Sequence, residues 1–373
     1  MRYVSFTFPN YWVYTSRGEQ VPEYQDLGDV RVWSCHHLDQ IDQDDVLFIN
    51  DVFDPGEYEK TFPKIKNQWP KNVFNDSWDR VCRTDLGFQC HTANITNLRY
   101  LKFLQQTRFQ TSYMVHHCAN FAINKYQLNR FLCLKLMQWF NVNAAYTWSG
   151  KINQDKNTHH LDLIRQALDS SPGWYTQDLY DYLTEPLQRY SESWVKMPQD
   201  KHSDDRIVGL NPRLMGELWN AGLNYKVLHS AVSILTETDY DNFGIIFTEK
   251  TSFAIAGLTF PIWLNCAGMP DLWKSYGFDI FEDVINHDYQ YETNFVKRYY
   301  QAISDNLHIL TDKGVACMAK DRHLSRLIAN RNILFESQQL EQQVTKQIDV
   351  MDHNVRPLAQ AWFNELLYNR SCA

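Results

Sequence analysis

The residues of this chain that are best placed to do chemistry are Glu249 and Lys250, which come after a short apolar run. That run, residues 231–236, is rich in β-branched side chains and bounded by polar residues, which predicts a buried strand of an α/β sheet. Thr248 is a candidate N-cap, and the residues after it predict a helix that reaches Gly257. A lysine in the first helical turn opposes the helix macrodipole, and a bound anion would reverse that cost. The pattern therefore indicates a site for an anion such as a diphosphate.

Glu249 and Lys250 have two interpretations that the sequence leaves open. In the first, Lys250 and the backbone N–H groups of the helix start bind phosphate oxygens, while Glu249 accepts hydrogen bonds from ribose hydroxyls. Glu237, at the end of the preceding strand, would order the same loop. In the second, Glu249 is a solvent-exposed carboxylate favoured by the helix dipole, and Lys250 is its surface neighbour.

Several segments around this pair resemble the donor-binding region of the α-1,3-fucosyltransferases. In that family a Glu-Asn-Ser segment precedes a Tyr-x-Thr-Glu-Lys motif, and a helix then leads to a strand that begins with proline. Here Glu237 is followed by Thr238 where the fucosyltransferases carry Asn-Ser. The continuation is similar to uncharacterised bacterial and phage members of the wider group. The segments that carry the resemblance are residues 236–240 (Thr-Glu-Thr-Asp-Tyr), 247–251 (Phe-Thr-Glu-Lys-Thr), 261–263 (Pro-Ile-Trp) and 276–281 (Tyr-Gly-Phe-Asp-Ile-Phe).

The resemblance implies a GT-B fold, an α/β architecture with two Rossmann-like lobes built on parallel sheets. It implies a nucleotide-diphosphate sugar held by the second lobe, with Glu249 at the ribose and Lys250 at the diphosphate. The protein would then be a glycosyltransferase that moves a hexosyl or pentosyl group to a hydroxyl acceptor without a divalent metal or other cofactor. Lys250, the helix N-terminus and Arg213 or Arg298 would offset the charge that develops on the diphosphate.

Asp239 and Asp241 support a competing enzyme class. An Asp-x-Asp pair after a strand is the arrangement with which GT-A glycosyltransferases hold a divalent metal against a nucleotide sugar. A two-lobed protein that binds a nucleotide or a sugar without turning it over is a further alternative. Hydrolysis of a donor in the absence of acceptor would separate an enzyme from such a binding protein.

The acceptor hydroxyl of a glycosyltransferase needs a general base. Asp51 and Asp54 come just after a predicted strand at residues 45–50, where open α/β sheets place their ligands. His116 follows a second predicted strand at residues 112–115. These three side chains are the candidates for the base, with Asp51 as the first choice.

Lys64, Lys66 and Trp69 belong to a basic and aromatic segment, residues 60–71, which contains no acidic residue. We expect these side chains to contact the acceptor, which leaves open a hydroxylated base of phage DNA that is flipped out or reached in a groove. The net charge of −8 gives no global attraction to nucleic acid, so glycan, lipid or small-molecule acceptors fit equally well. A solvent-exposed loop is the alternative interpretation of the segment.

The length of 373 residues suits two domains. No stretch of roughly 18 apolar residues occurs, and the eight cysteines form no Cys-x-x-Cys pair, so we expect a cytoplasmic protein of a bacterial or phage-infected cell, with no membrane span and no structural zinc. Residues 131–134 predict a short strand, and residues 324–367 predict helix broken near Pro357. The predicted domains are an acceptor lobe at 1–200 with a polar helical insertion at 151–203, a donor lobe at 204–335, and a C-terminal helical tail at 336–373 that packs on the first lobe.

Overall fold

The chain folds into two compact units. In the computed structural model, Met1–Phe103 and Gln338–Ala373 form the first unit, and Leu104–Ser337 form the second. Each unit contains a mainly parallel sheet, so the protein has an α/β fold. The structure describes residues 1–5, 20, 23–34, 42, 44–49, 72–75, 89–92, 114–123, 127–148, 154–186, 195–196, 229–236, 249–264, 268–336 and 338–368.

Six strands make the sheet of the first unit. They are β1 (Tyr3–Ser5), β2 (Tyr24–Leu27), β3 (Val30–Ser34), β4 (Val46–Ile49), β5 (Asn72–Asn75) and β6 (Gln89–Thr92). Their order across the sheet is β2-β3-β1-β4-β5-β6, and all neighbours are parallel except the β2–β3 hairpin. The hairpin turns at Gly28, whose φ of 62° suits a glycine. After β1, the chain adds β2 and β3 on one side of it and then β4, β5 and β6 on the other side. Doubly wound sheets have the same change of direction.

Five parallel strands make the sheet of the second unit. They are β7 (His117–Ile123), β8 (Ala144–Trp148), β9 (Val195–Lys196), β10 (Ser230–Leu235) and β11 (Phe260–Trp263). The order is β11-β10-β7-β8-β9. When the strands are numbered by their appearance in this unit, the order from β9 to β11 is 3-2-1-4-5, which is typical of the Rossmann fold. The direction of the connections reverses between β7 and β10.

Eleven α-helices occur among the residues that the structure describes. They are α1 (Leu128–Trp139), α2 (Gln154–Asp169), α3 (Gln177–Thr184), α4 (Glu249–Ala256), α5 (Met269–Ser275), α6 (Phe295–Ser304), α7 (Leu307–Thr311), α8 (Lys313–Arg322), α9 (Leu324–Glu336), α10 (Gln339–Asp349) and α11 (Arg356–Tyr368). A 3-10 turn spans Asp288–Tyr291. None of these described helices is long and apolar enough to cross a membrane.

The prediction of a buried strand followed by a helix is confirmed at β10 and α4. All six residues of β10 are buried, because a central parallel strand is covered on both faces. The strand pairs with β7 on one side and β11 on the other. Because both edges of β10 are hydrogen-bonded to neighbouring strands, only its ends can contact a ligand.

A buried polar chain joins the middle of this sheet to α4. Asn120 Nδ2 donates to Ser233 Oγ at 2.8 Å and to the Val232 carbonyl at 3.1 Å. Thr259 Oγ1 donates to the Ala254 carbonyl at 2.9 Å, so it accepts from Ser233 Oγ, which lies 2.6 Å away. The hydroxyls thus point in one direction from β7 through β10 to α4. This chain fixes the helix against the central strands.

The C-terminal helix α11 packs on the sheet of the first unit. The Trp362 ring lies 5.5 Å from the ring of Phe48, which stacks on Phe74 at 5.2 Å between centroids. At the other end of the sheet, Arg2 Nη2 donates to Asp45 Oδ2 at 2.6 Å and ties β1 to the start of β4. Residues from both ends of the chain therefore complete one core.

Residues 131–134, predicted as a strand, lie in α1, so that prediction is wrong. Ten residues of this helix, from Leu128 to Met137, are buried. A helix that is buried on nearly all sides has no polar stripe, and a run of four apolar residues inside it looks like a buried strand. The length of the apolar stretch was the signal that could have distinguished a buried helix from a buried strand, because buried strands are shorter.

The division into units also differs from the boundaries suggested by the sequence. The boundary lies between residues 103 and 104 rather than near residue 200, because β7, β8 and β9 pair in one sheet with β10. The described C-terminal part contains three helices: α9 ends at Glu336, α10 spans Gln339–Asp349, and α11 begins at Arg356. Pro357 lies in the first turn of α11, where the missing N–H breaks no helical hydrogen bond.

Candidate functional site

The carboxyl ends of β7 and β10 are the place where the second sheet offers a ligand site. From β7 the chain continues to β8 on one side, and from β10 it continues to β11 on the other. Right-handed crossovers that lead in opposite directions place α1 and α4 on opposite faces of the sheet, and open α/β sheets bind their ligands in the crevice at such a point. The two helices begin at Leu128 and Glu249. Their first turns therefore border the crevice.

Lys250 is the second residue of α4, where the sequence predicted it. Its side chain is half-buried. The next residue, Thr251, is fully buried, and its Oγ1 accepts a hydrogen bond from the indole Nε1 of Trp263 at 3.1 Å. Because Trp263 is the last residue of β11, the neighbouring strand holds the first turn of α4 in place. Lys250 therefore projects from a fixed turn.

A chain of hydrogen bonds continues from Trp263 to His287. The Trp263 backbone N–H donates to the Tyr289 hydroxyl at 3.0 Å, and this hydroxyl lies 3.4 Å from His287 Nδ1. His287 Nε2 lies 2.8 Å from the Ile280 carbonyl oxygen, which can only accept. Nε2 therefore carries the imidazole proton, and Nδ1 accepts the proton of Tyr289. The loop after α5 is thus linked to the end of β11.

Burial lowers the pKa of His287 below its ordinary value of 6.5. A hydrogen bond to the main chain and three carboxylates act in the opposite direction and are weaker than the burial. The carboxylates are those of Glu282, Asp271 and Asp288. His287 is therefore neutral at neutral pH, in agreement with the hydrogen bond that its Nδ1 accepts.

This histidine gives the folding stability a pH dependence with a defined sign. The folded protein protonates His287 less readily than the unfolded chain, so the stabilisation is complete above pH 6.5 and decreases as the pH falls through 6.5 toward the lower pKa of the folded state. We expect the free energy of unfolding in urea to fall less between about pH 7.5 and about pH 5 in His287→Gln than in the wild type. The matched variant for the loss of an imidazole is His308→Gln, at an exposed histidine of the same unit. Equal slopes for His287→Gln and wild type would contradict the neutral tautomer.

The first turn of α1 contains two buried polar residues that sequence patterns did not reveal. Asn129 is fully buried, and its Oδ1 accepts from the Arg130 backbone N–H at 2.9 Å. The Arg130 side chain is 5% exposed, and this turn contains no acidic residue. The prediction of a strand at residues 131–134 hides the helix start at Leu128. Without that helix start, Arg130 is not recognised as a first-turn residue like Lys250. Two basic residues thus lie in the first turns of the two helices that border the crevice.

Thr236 follows β10 and has a buried hydroxyl at the carboxyl end of that strand. Its side chain is 1% exposed, and Oγ1 has no hydrogen-bond partner in the part of the chain that the structure describes. A buried hydroxyl without a partner costs about 1–3 kcal/mol. Residues 237–248, which follow it, lie outside the described parts of the chain.

His116 lies at the amino ends of the strands, opposite the carboxyl ends where the crevice is expected. The strand predicted over residues 112–115 is wrong at residues 114 and 115, which lie in no strand. Strand β7 begins only at His117, so His116 precedes a strand instead of following one. Its ring lies 4.4 Å from the ring of His229, which precedes β10. The prediction that placed His116 at a carboxyl strand end is therefore wrong, and the residue does not border the crevice.

The other predicted site residues are less fully described. Arg298 is buried in α6, where its Nη1 donates to the Glu292 carbonyl at 2.7 Å and holds the helix to the 3-10 turn. Glu249 is placed by its backbone as the first residue of α4. The remaining predicted residues lie outside the described parts of the chain; they are Asp51, Asp54, Lys64, Lys66, Trp69, Arg213, Glu237, Asp239, Asp241 and Thr248.

Helix α9 clamps the segment that follows α5. Arg326 pairs with both carboxylate oxygens of Asp279, at 2.5 and 2.9 Å, and its Nη1 donates to Asp283 Oδ2 at 2.7 Å. Asn330 accepts from the Asp279 N–H at 2.8 Å and donates to its carbonyl at 2.6 Å. The Arg326 guanidinium also lies 5.1 Å from the ring centre of Phe281, whose φ is 60°. The clamp therefore holds a left-handed backbone that is unfavourable for phenylalanine.

Comparison with known proteins adds no relative to these observations. The sequence matches no protein-family model. It also matches no curated protein. The sheet order and the residues at the crevice are therefore the basis for any conclusion about function.

Proposed function

We propose that this protein is a glycosyltransferase of the GT-B class, which binds a nucleotide-diphosphate sugar at the crevice of the second unit. The observation that carries the proposal is the position of Lys250. It lies in the first turn of the helix that follows β10, beside the point where the strand order reverses. Phosphate groups bind at this place in Rossmann-type sheets because the helix start offers N–H donors and a positive dipole end.

The groups at the crevice suit the parts of a donor. Lys250 and the N–H groups of α4 would bind the diphosphate, and Glu249 would accept hydrogen bonds from the ribose, as the resemblance to the fucosyltransferases implies. Arg130 adds a second positive charge at the start of α1. Two cations and two helix dipoles would oppose the repulsion among phosphate oxygens.

The first unit would provide the acceptor side of such an enzyme. Its parallel sheet and its own change of direction at β1 support a second Rossmann-like lobe. Asp51 and Asp54 follow β4 in the sequence, and β4 is the neighbour of β1. A carboxylate there would take the proton of the acceptor hydroxyl while the acceptor oxygen bonds to the anomeric carbon and the diphosphate leaves. A hydroxylated DNA base stays among the acceptors to test, because Lys64, Lys66 and Trp69 belong to this unit.

Activity is expected to survive removal of divalent metals. Protein cations would stabilise the charge on the leaving diphosphate, so chelation with EDTA should leave the rate of donor hydrolysis within about twofold of the untreated enzyme. The measurement is release of the nucleoside diphosphate from the donor in the absence of acceptor. Loss of hydrolysis that Mn²⁺ restores would instead assign the chemistry to Asp239 and Asp241. Donor binding without any hydrolysis or transfer would indicate a binding protein.

A further inference from the structure

The start of α4 is supported by a row of hydrogen bonds that reaches it from the loop after α5. Trp263, the last residue of β11, is at the centre of this row. Its indole Nε1 donates to Thr251 Oγ1 at 3.1 Å, and its backbone N–H donates to the Tyr289 hydroxyl at 3.0 Å. Each of these three residues is at most 2% exposed. The row therefore supports the first turn of α4 from the interior of the unit, directly beside Lys250.

The Tyr289 hydroxyl supplies a hydrogen-bond acceptor at the edge of the sheet. Strand β11 is the edge strand of the described sheet, with β10 as its neighbour. The N–H of Leu264, the residue after Trp263, donates to the Leu235 carbonyl of β10 at 2.8 Å, whereas the Trp263 N–H donates to Tyr289. A buried backbone N–H needs an acceptor. Loss of the Tyr289 hydroxyl would therefore leave a buried donor on the residue that holds Thr251.

His287 accepts the proton of the Tyr289 hydroxyl and so completes the row. Its Nδ1 lies 3.4 Å from that hydroxyl, and its ring lies 5.7 Å from the ring of Trp263. Protonation of the imidazole would place an N–H at Nδ1, opposite the hydroxyl proton of Tyr289, and this hydrogen bond would be lost. The row is therefore complete only when His287 is neutral. The ionisable groups that act on the imidazole or on Tyr289 are Glu282, Asp271, Asp288 and Arg298.

We propose that Tyr289 and His287 are positioning residues for the phosphate site at the start of α4, and that the neutral form of His287 is the one that favours nucleotide binding. This inference rests on the proposed function, because it assigns a means of regulation to the same site. Lys250 and the N–H groups of the first turn bind phosphate best when the turn is ordered before the nucleotide arrives. A turn that has lost its support from Trp263 must be ordered during binding, and this loss of entropy lowers the affinity.

Calorimetric titration at about pH 7.5 with GDP, UDP and ADP tests the role of the row. We expect Tyr289→Phe and Thr251→Val each to weaken binding of the nucleotide that the wild type prefers by about fivefold or more. Thr251→Ser keeps the acceptor for the Trp263 indole and should bind close to the wild type. Tyr182→Phe is the matched control, because the Tyr182 hydroxyl donates to Gln138 Oε1 at 3.2 Å, at the end of α1 that is remote from the crevice. Circular dichroism of each variant checks that the fold is retained.

The pH dependence of the affinity tests the role of His287 separately from folding. The terminal phosphate of the nucleotide takes up a proton at about pH 6, equally for every variant. Burial lowers the pKa of His287 below 6.5, so this residue is protonated only in the lower part of the range from about pH 7.5 to about pH 5. His287→Gln has no titrating group at this position and should therefore lose less affinity over the same range than the wild type. The difference between the two profiles measures the contribution of His287.

The possible failures of this inference differ from those of the proposed function. If the wild type binds none of the three nucleotides, both are overturned. If the wild type binds one of them and Tyr289→Phe and Thr251→Val bind it equally well, only the positioning role is overturned. A loss in Thr251→Ser as large as in Thr251→Val would also overturn it, because the hydroxyl would not be the group that holds the turn. Equal pH profiles for His287→Gln and the wild type would remove His287 from the row.

Discussion

Arg326→Met is expected to lower the free energy of unfolding of the second unit by about 2–3 kcal/mol, measured by urea denaturation. The substitution keeps most of the aliphatic stem but removes the hydrogen bonds to Asp279 and Asp283. It leaves Asp279 without its cation and removes the cover from Phe281, which has a left-handed backbone. We expect a smaller loss of stability than for breaking a fully buried ion pair, because the Arg326 side chain is 35% exposed.

Lys274→Met provides the control for this effect. Lys274 forms an ion pair with Glu282 in the same part of the unit, at 2.7 Å, but the two side chains are 55% and 58% exposed. Solvent screens such a pair, so we expect a much smaller change than for Arg326→Met. Similar losses for the two variants would mean that Arg326 is an ordinary surface residue and that the clamp does not hold the loop.

Lys250→Ala is expected to weaken the affinity for a nucleoside diphosphate by roughly ten- to a hundredfold. This is the scale of one charge-assisted hydrogen bond, about 1.5–3 kcal/mol. Alanine favours the helix, and Lys250 is only half-buried, so the folding stability should change little. Calorimetric titration of the variant and the wild type with the same nucleotide measures the difference.

The control for Lys250 is a lysine in an equivalent helical position. Lys313 is the first residue of α8 and is exposed, but α8 does not begin at the crevice. Lys313→Ala should therefore bind the nucleotide like the wild type. Equal losses in the two variants would indicate a general effect of net charge, and no loss in either would remove Lys250 from the site.

The parts of the fold that the sequence predicted well are those with a local signal. The strand at β10 and the helix at α4 have β-branched residues, short length and a polar boundary, and these are sufficient because neighbouring residues decide them. Sheet order is different, since the pairing of β7 with β10 joins residues more than a hundred positions apart. No sequence pattern in this chain indicates that pairing, and it determines which loops meet at the crevice.

The candidate site shows the same limit. Lys250 was found because a helix start was evident, whereas Arg130 was missed because α1 is buried on nearly all sides and resembles a strand in a short window. His116 was misplaced because its role depended on which end of a strand it occupied.

The most direct test of the central claim is a thermal-shift titration of the wild-type protein with GDP, UDP, ADP and CMP, with and without Mn²⁺. A ligand that binds only the folded state stabilises it by about 2.7 kcal/mol at a hundred times its Kd. We predict that at least one nucleoside diphosphate raises the melting temperature without Mn²⁺, and that CMP, with a single phosphate, does so less. No shift with any of the three diphosphates would contradict a nucleotide site at the crevice, and with it the proposed glycosyltransferase.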